Sequence, residues 1–216
     1  MSGLFITMEG CEGAGKTLQC GKLNDYLTGL GYKTLLTREP GGTVVSEQIR
    51  DIILDIRNEH MSARAEALLY SAARAQLVFE YIRPALSEGK IVICDRFADS
   101  SVAYQGYARS LGVGIINNIN AFATGYLKPD ITFFLDVDPV ESFSRKWNNV
   151  YFDRIELEDP DFHRKVYEGY IELAKKNPGR VYMLDGRRSP REVHEDIVDK
   201  VGRILDKSSK HKEEFS

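Results

Sequence analysis

Short apolar runs alternate with longer amphipathic stretches along nearly the whole chain. Leu4-Phe-Ile-Thr-Met8 is β-like and ends in a glycine-rich turn. From Lys16 to Leu30 the spacing is helical, with Leu23, Tyr26, Leu27 and Leu30 on one face. Thr34–Thr37 is a second short strand, and Ile49, Ile52, Ile53 and Ile56 mark the stripe of a second helix. A long helical region, continuous or broken, covers Ala63–Leu86, followed by strands at Lys90–Cys94, Ile131–Val137 and Val181–Leu184. Asp159-Pro160 reads as the start of a helix carrying Tyr167, Tyr170 and Leu173. The last helix has a fuller signature. Ser189 caps it, Pro190 suits its first turn, Glu192 completes a capping box, and Val193, Ile197, Val201 and Ile204 form its buried stripe. Five apolar strands separated by helices imply an α/β fold, a parallel sheet flanked by helices on both faces. In such sheets ligands gather at the carboxyl ends of the strands.

The 216 residues suit one domain, read here as 1–207, with a charged tail at 208–216 that has no apolar stripe and is expected to be disordered. A net charge of −3 leaves no basic excess, which argues against a nucleic-acid or membrane-surface binder. Cys11, Cys20 and Cys94 are widely spaced and suggest neither a disulfide framework nor a zinc site. The N-terminus lacks a basic region, and its apolar run is too short for a signal peptide or a span; the expectation is a cytoplasmic protein.

Candidate chemistry begins in the first turn. Gly10-Cys11-Glu12-Gly13-Ala14-Gly15-Lys16-Thr17 fits G-x-x-x-x-G-K-[ST] between a strand and a helix. Glycines let the backbone fold into a nest of N–H groups, and the helix adds its positive end. Lys16 is placed to reach the β/γ oxygens of a nucleotide, and the Thr17 hydroxyl to ligate Mg²⁺. The motif predicts a P-loop NTPase fold and a triphosphate site, but names no acceptor. No N-K-x-D base reader of a GTPase is found.

Four clusters then follow predicted strands or lie on helices. Arg38-Glu39-Pro40-Gly41-Gly42-Thr43 is a rigid turn with an arginine suited to phosphate, or simply a loop with a solvated arginine. Asp95-Arg96-Phe97 offers a carboxylate for metal-bound water and a guanidinium for transferring charge, or an ordinary salt bridge. Tyr70 and Arg74 share a helical face, as a ligand pair or as a core ring beside a surface arginine. Ser100–Gly106 brings Ser101, Tyr104 and Gln105 close to the Asp95-Arg96 turn, the inventory needed to read a nucleobase.

Taken in order, GCEGAGKT (10–17), REPGGT (38–43), YSAAR (70–74), DRF (95–97), SSVAYQG (100–106) and FDRIE (152–156) closely resemble bacterial thymidylate kinase, from about Leu4 to Leu205. The resemblance implies transfer of the γ-phosphoryl of ATP to dTMP, with Mg²⁺ as cofactor, in a homodimer with a mobile lid over about residues 144–156. It implies that Gly10–Thr17 bind ATP, that Thr17 and Asp95 serve the metal, and that Glu12 holds the acceptor's 3′-hydroxyl or a nearby metal-bound water. Arg38 and Arg96 match residues gripping the acceptor phosphate. Tyr70 takes the place of a ring stacked on thymine, Arg74 of its exocyclic-oxygen partner, Ser101 and Gln105 of base-edge contacts, and Tyr104 of the ring against the sugar. The bond before Pro40 is a cis candidate.

One departure stands out. The resemblance leads one to expect several lid arginines, but Asn149 falls where a charge-stabilising arginine is expected, leaving Arg145, Lys146 and Arg154 as the cations able to replace it. Either Arg145 or Arg154 is therefore expected to join Lys16, Arg96 and Glu12 in catalysis, or turnover is slow. His60, His163, His194 and His211 are expected to be surface residues, since phosphoryl transfer to a phosphate needs no strong base. Two rivals stay open: a deoxynucleoside kinase using Glu39 as base, and a regulator that only senses ATP.

Overall fold

The structure, a computed structural model, describes residues 3–146 and 152–213, the side chains at 143–146 and 207–213 excepted. Its centre is a five-stranded all-parallel sheet of β1 (Leu4–Glu9), β2 (Thr34–Arg38), β3 (Ile91–Asp95), β4 (Ile131–Asp136) and β5 (Val181–Asp185), in the order β2-β3-β1-β4-β5. The strands are near-continuous apolar runs because helices cover both faces. Ile6, Ile93, Phe133 and Leu135 face one layer, formed by α1 (Lys16–Gly29) and α9 (Pro190–Glu213). Phe5, Val92 and Cys94 face the other, with Phe97 and the helices after β2.

The remaining helices are α2 (Val44–Leu54), α3 (Ala63–Leu77), α4 (Arg83–Ser87), α5 (Ala98–Ser101), α6 (Val113–Thr124), α7 (Pro139–Lys146) and α8 (Pro160–Lys176). The long region expected over Ala63–Leu86 is divided by a π-helical turn at Val78–Ile82. A second π segment, Val102–Ala108, continues α5, and it carries Tyr104 and Gln105. Wide turns of this kind recur at functional sites. The capping box at the last helix is present, with Ser189 and Glu192 bonding each other's backbone N–H groups. That helix runs on to Glu213, well past the end of its apolar stripe, so the stretch read as an unstructured tail is helical over 208–213. Glu39-Pro40 is cis.

Strand register sets the site. Met8 on β1 pairs with Asp95 on β3, and Asp95 with Arg38 on β2. The P-loop, the Asp95-Arg96 turn and the Arg38 turn therefore leave the sheet at one level.

Candidate active site

The loop between β1 and α1 needs glycine at two places for different reasons. Gly10 has φ 143°, and a Cβ there would stand 2.8 Å from the Leu135 carbonyl oxygen. Gly13 has φ 77°, and a Cβ would collide with the Ser142 carbonyl oxygen of α7. The Ser142 hydroxyl also donates to the Glu12 carbonyl, so α7 lies directly on the loop. Lys16 is buried and its ammonium donates to the Cys11 carbonyl at 2.7 Å. Burial, and secondarily the nearby Arg96, lowers its pKa from the usual lysine value. Burial also pushes the Cys11 thiol up to about 12, leaving it inert.

Thr17 donates to Asp95 Oδ2 at 2.5 Å, across the β1–β3 junction. A hydroxyl and a carboxylate are hard oxygen donors, and among the described residues no group of three or more His, Cys, Asp or Glu is placed to hold a metal ion. That sparse set fits Mg²⁺, which keeps most of its waters and takes phosphate oxygens besides one or two protein ligands.

Arg96 occupies the left-handed region at φ 70°, a costly conformation for a residue with a Cβ. It is fixed there by its N–H to the Met8 carbonyl at 2.9 Å. Its guanidinium donates to the Gly10 carbonyl at 3.0 Å and the Tyr170 hydroxyl at 3.1 Å, pairs with Glu12, and lies 5.3 Å from the centroid of the Tyr104 ring. Tyr170 in turn donates to Glu9 at 2.9 Å. Glu9 also accepts from the Phe97 N–H and the Ser100 hydroxyl. Its carboxyl is pushed up to about 7, by burial first and then by repulsion from Asp99.

The other side of the site is built on α3. Glu66, Tyr70 and Arg74 lie one turn apart on its inward face. Arg74 is 1% exposed. It donates to Glu39 Oε2 at 2.7 Å, Asn120 Oδ1 at 2.6 Å, Ser101 Oγ at 3.1 Å and the Phe97 carbonyl at 3.3 Å. The bland reading of Arg74 as a surface arginine thus fails. Glu39 is pushed up to about 7 by burial, against the pull of Arg74, and its Oε1 has no hydrogen-bond partner among the described residues. Arg38 stays half exposed, with one terminal nitrogen shared between both Glu47 oxygens at 2.9 Å. Its backbone turn is braced by the Gly42 N–H on the same carboxylate at 2.7 Å.

These residues surround one cavity of about 460 Å³. Gly13, Gly15, Lys16 and Thr17 line one end; Tyr70, Arg74, Ser101, Tyr104 and Gln105 line the other; Arg38, Asp95, Arg96 and Glu12 stand between. Gly10, Cys11 and Ala14 belong to the loop but do not line the cavity, Cys11 and Ala14 being buried beneath it.

Two expectations are corrected. Arg154 does not line the cavity, although its neighbours Asp153 and Ile155 do: its buried guanidinium bonds Glu66 at 2.8 Å and the Ile53 carbonyl at 2.8 Å, pinning the end of the expected lid to α2 and α3. His163 is buried, at 7% exposure, because it stands on the inward face of α8 beside Phe162. The side chains of Arg145, Lys146 and Asn149 lie outside the described residues, as does that of His211. Sequence reading did not find Glu9, Glu66 or Asn120. Their partners are distant in the chain, Glu66 and Arg154 being 88 residues apart, and no local pattern marks such pairs.

Comparison with known proteins agrees with this geometry. A model of the thymidylate kinase family matches residues 8–197. A thymidylate kinase of Thermoanaerobacter sp. (strain X514) is 49% identical over 205 residues, covering 95% of this chain and 100% of the relative. That of Bacillus velezensis is 45% identical over 209 residues, with 96% and 99% covered. The crystal structure of thymidylate kinase from Ehrlichia chaffeensis superimposes with a TM-score of 0.77 at 33% identity, covering 94% of this chain and 99% of that one. With the family model matching residues 8–197 and relatives of 45–49% identity covering 95% or more of its length, the chain belongs to the thymidylate kinase family.

Proposed function

We propose that this chain carries out the family reaction, phosphorylation of dTMP, with ATP as donor and Mg²⁺ as cofactor, both nucleotides meeting end to end in the cavity around Arg96. The reading is carried by one observation: the cavity is continuous from Lys16 and Thr17 to Tyr70, Arg74 and Gln105, with Arg38 and Arg96 at mid-length. Cations between the two ends suit two phosphate-bearing ligands that meet there.

The loop from Gly10 to Thr17 offers its N–H groups to the triphosphate, and Lys16 reaches the β and γ oxygens. Thr17 and Asp95 would hold Mg²⁺, which when bound neutralises charge on the β and γ oxygens. Arg38 and Arg96 hold the acceptor phosphate, itself the nucleophile. Tyr70 stacks on thymine, Arg74 and Ser101 meet its edge with Gln105, and Tyr104 lies against the sugar where a 2′-hydroxyl would sit. Glu12 orients Arg96 and takes the 3′-hydroxyl or a nearby water. Preorganised cations in a confined site supply most of the rate in such chemistry. Arg145 is the candidate for the remaining lid cation.

We place the enzyme in the cytoplasm, which fits its three buried free cysteines, and read it as a homodimer. Exposed Ile52, Leu68, Ile115 and Phe122 on α2, α3 and α6 supply an apolar surface for pairing; light scattering tests it. No described helix is long and apolar enough to cross a membrane.

A coupled ADP-release assay over dTMP, dUMP, dCMP, dGMP and thymidine tests the reaction. Turnover is expected with dTMP first and dUMP second. Preference for thymidine would move the role of base to Glu39 and overturn the assignment of Arg38 and Arg96. ATP binding with no monophosphate bound would leave only a sensor.

A further inference from the structure

A glutamine can turn either end of its amide toward a ligand, and here a buried charge decides which. Gln105 lies in the π segment at 1% exposure, yet lines the base end of the cavity. Its Nε2 donates to Glu66 Oε1 at 2.9 Å. Glu66 is fully buried and accepts from Arg109 at 2.9 and 3.2 Å and from Arg154 at 2.8 Å. Burial alone would raise its pKa, but Arg109, Gln105 and Arg154 together hold it below the usual glutamate value. An ionised carboxylate offers lone pairs only. Turning the amide over would set its carbonyl oxygen against that carboxylate. The N–H end is therefore committed to Glu66, and the carbonyl oxygen, with no donor among the described residues, is left for the cavity.

We propose that Glu66 is a specificity-determining positioning residue: through Gln105 it makes the pocket present an acceptor, not a donor, to the edge of the acceptor base. The proposal rests on the reading of this cavity as the dTMP site. Thymine and uracil carry an N3–H that such an oxygen accepts, whereas cytosine has a lone pair at N3 that it repels. A site whose buried polar group is left unpaired by the wrong ligand discriminates strongly.

The substitution Glu66→Gln inverts this arrangement. Three of the four groups facing residue 66 are arginine N–H donors. A glutamine there keeps its oxygen toward the pair from Arg109 Nη2 and Arg154 and turns its NH₂ to Gln105, giving up the longer 3.2 Å bond from Arg109 Nε. Gln105 must then flip to accept, presenting N–H₂ to the base. The expected result is a fall in kcat/KM for dTMP of about 10–100-fold, with a smaller fall or a gain for dCMP, so that the dTMP:dCMP ratio drops at least about tenfold. Gln105→Leu should lower the ratio too, and adding Glu66→Gln to it should shift the ratio no further. A purely structural role for Glu66 would depress both acceptors alike. An unchanged ratio in a folded, active Glu66→Gln enzyme overturns the proposal alone. A wild-type chain that fails to phosphorylate dTMP overturns the reading of the site as well. Should Glu66→Gln fail to fold, nuclear magnetic resonance of the wild-type Gln105 side-chain amide decides: its protons should be protected from exchange, with the same neighbours before and after dTMP binds. Amide protons in contact with the bound base would overturn the proposal.

Discussion

Tyr170→Phe removes a single oxygen, one that joins α8 to the proposed phosphate-gripping arginine. The hydroxyl accepts from Arg96 at 3.1 Å, donates to Glu9 at 2.9 Å and lies 2.9 Å from Ser100 Oγ. Phenylalanine keeps the ring stacked on Phe134, 5.2 Å between centroids at 18°, so the packing term is small. The loss falls on two charged groups. Hydrogen bonds to charged groups contribute about 1.5–3 kcal/mol, and leaving a buried group short of a partner costs a similar amount. Glu9 retains Phe97 N–H and Ser100, and Arg96 retains Gly10 and Glu12. A destabilisation of about 2 kcal/mol is therefore expected. In a chain of this size that lowers Tm by roughly 4–8 °C. Catalysis should suffer more. With its α8 anchor gone, the guanidinium is held chiefly from the P-loop side, with a long contact to Ser100 Oγ at 3.4 Å and the Tyr104 ring besides, and a displacement of about 1 Å costs on the order of 10²-fold in rate. Steady-state kinetics should show kcat reduced about 10–100-fold with the dTMP KM changed less. If Tm falls as calculated while kcat stays at the wild-type value, Tyr170 is a packing residue and Glu12 and Gly10 position Arg96 without it.

Three further outcomes follow from the same geometry. Gly13→Ala places a methyl against the Ser142 carbonyl at φ 77°; left-handed strain of about 1–2 kcal/mol and a displaced α7 should raise the KM for ATP and lower Tm, and an unaffected ATP titration would remove α7 from the donor site. Arg154→Ala breaks a buried pair with Glu66 and should cost about 3–5 kcal/mol of stability, with dTMP KM rising more than kcat falls; a folded variant with intact stability but a large fall in kcat would return Arg154 to the transferring phosphoryl group. Glu39 and Glu9 both titrate near 7, raised from 4.5. A raised acid favours the folded state fully below pH 4.5 and loses that contribution as pH rises through 7, so Glu39→Gln should flatten the decline in stability between pH 5 and 7; an unchanged slope in urea titrations would show Glu39 ionised throughout that range.

Much of this was legible in the sequence because it is local. Strand and helix periods, the P-loop glycines, the Ser189–Glu192 capping box and the Asp159-Pro160 helix start each rest on interactions a few residues apart, which the chain carries with it. The five apolar strands gave the parallel sheet, and the sheet gave the edge at which Thr17, Arg38 and Asp95 meet. What only the tertiary structure decided is where long charged side chains spend their hydrogen bonds. Arg154 looked like a lid cation and is instead buried on Glu66; Arg74 and Glu39 pair across 35 residues; Tyr170 reaches Glu9 from the far end of the chain. The π turns that aim Tyr104 and Gln105 were equally hidden, since one extra residue in a turn leaves no mark on an apolar stripe. Periodicity is fixed by backbone geometry, but the destination of a guanidinium depends on which buried carboxylate the fold brings within its reach.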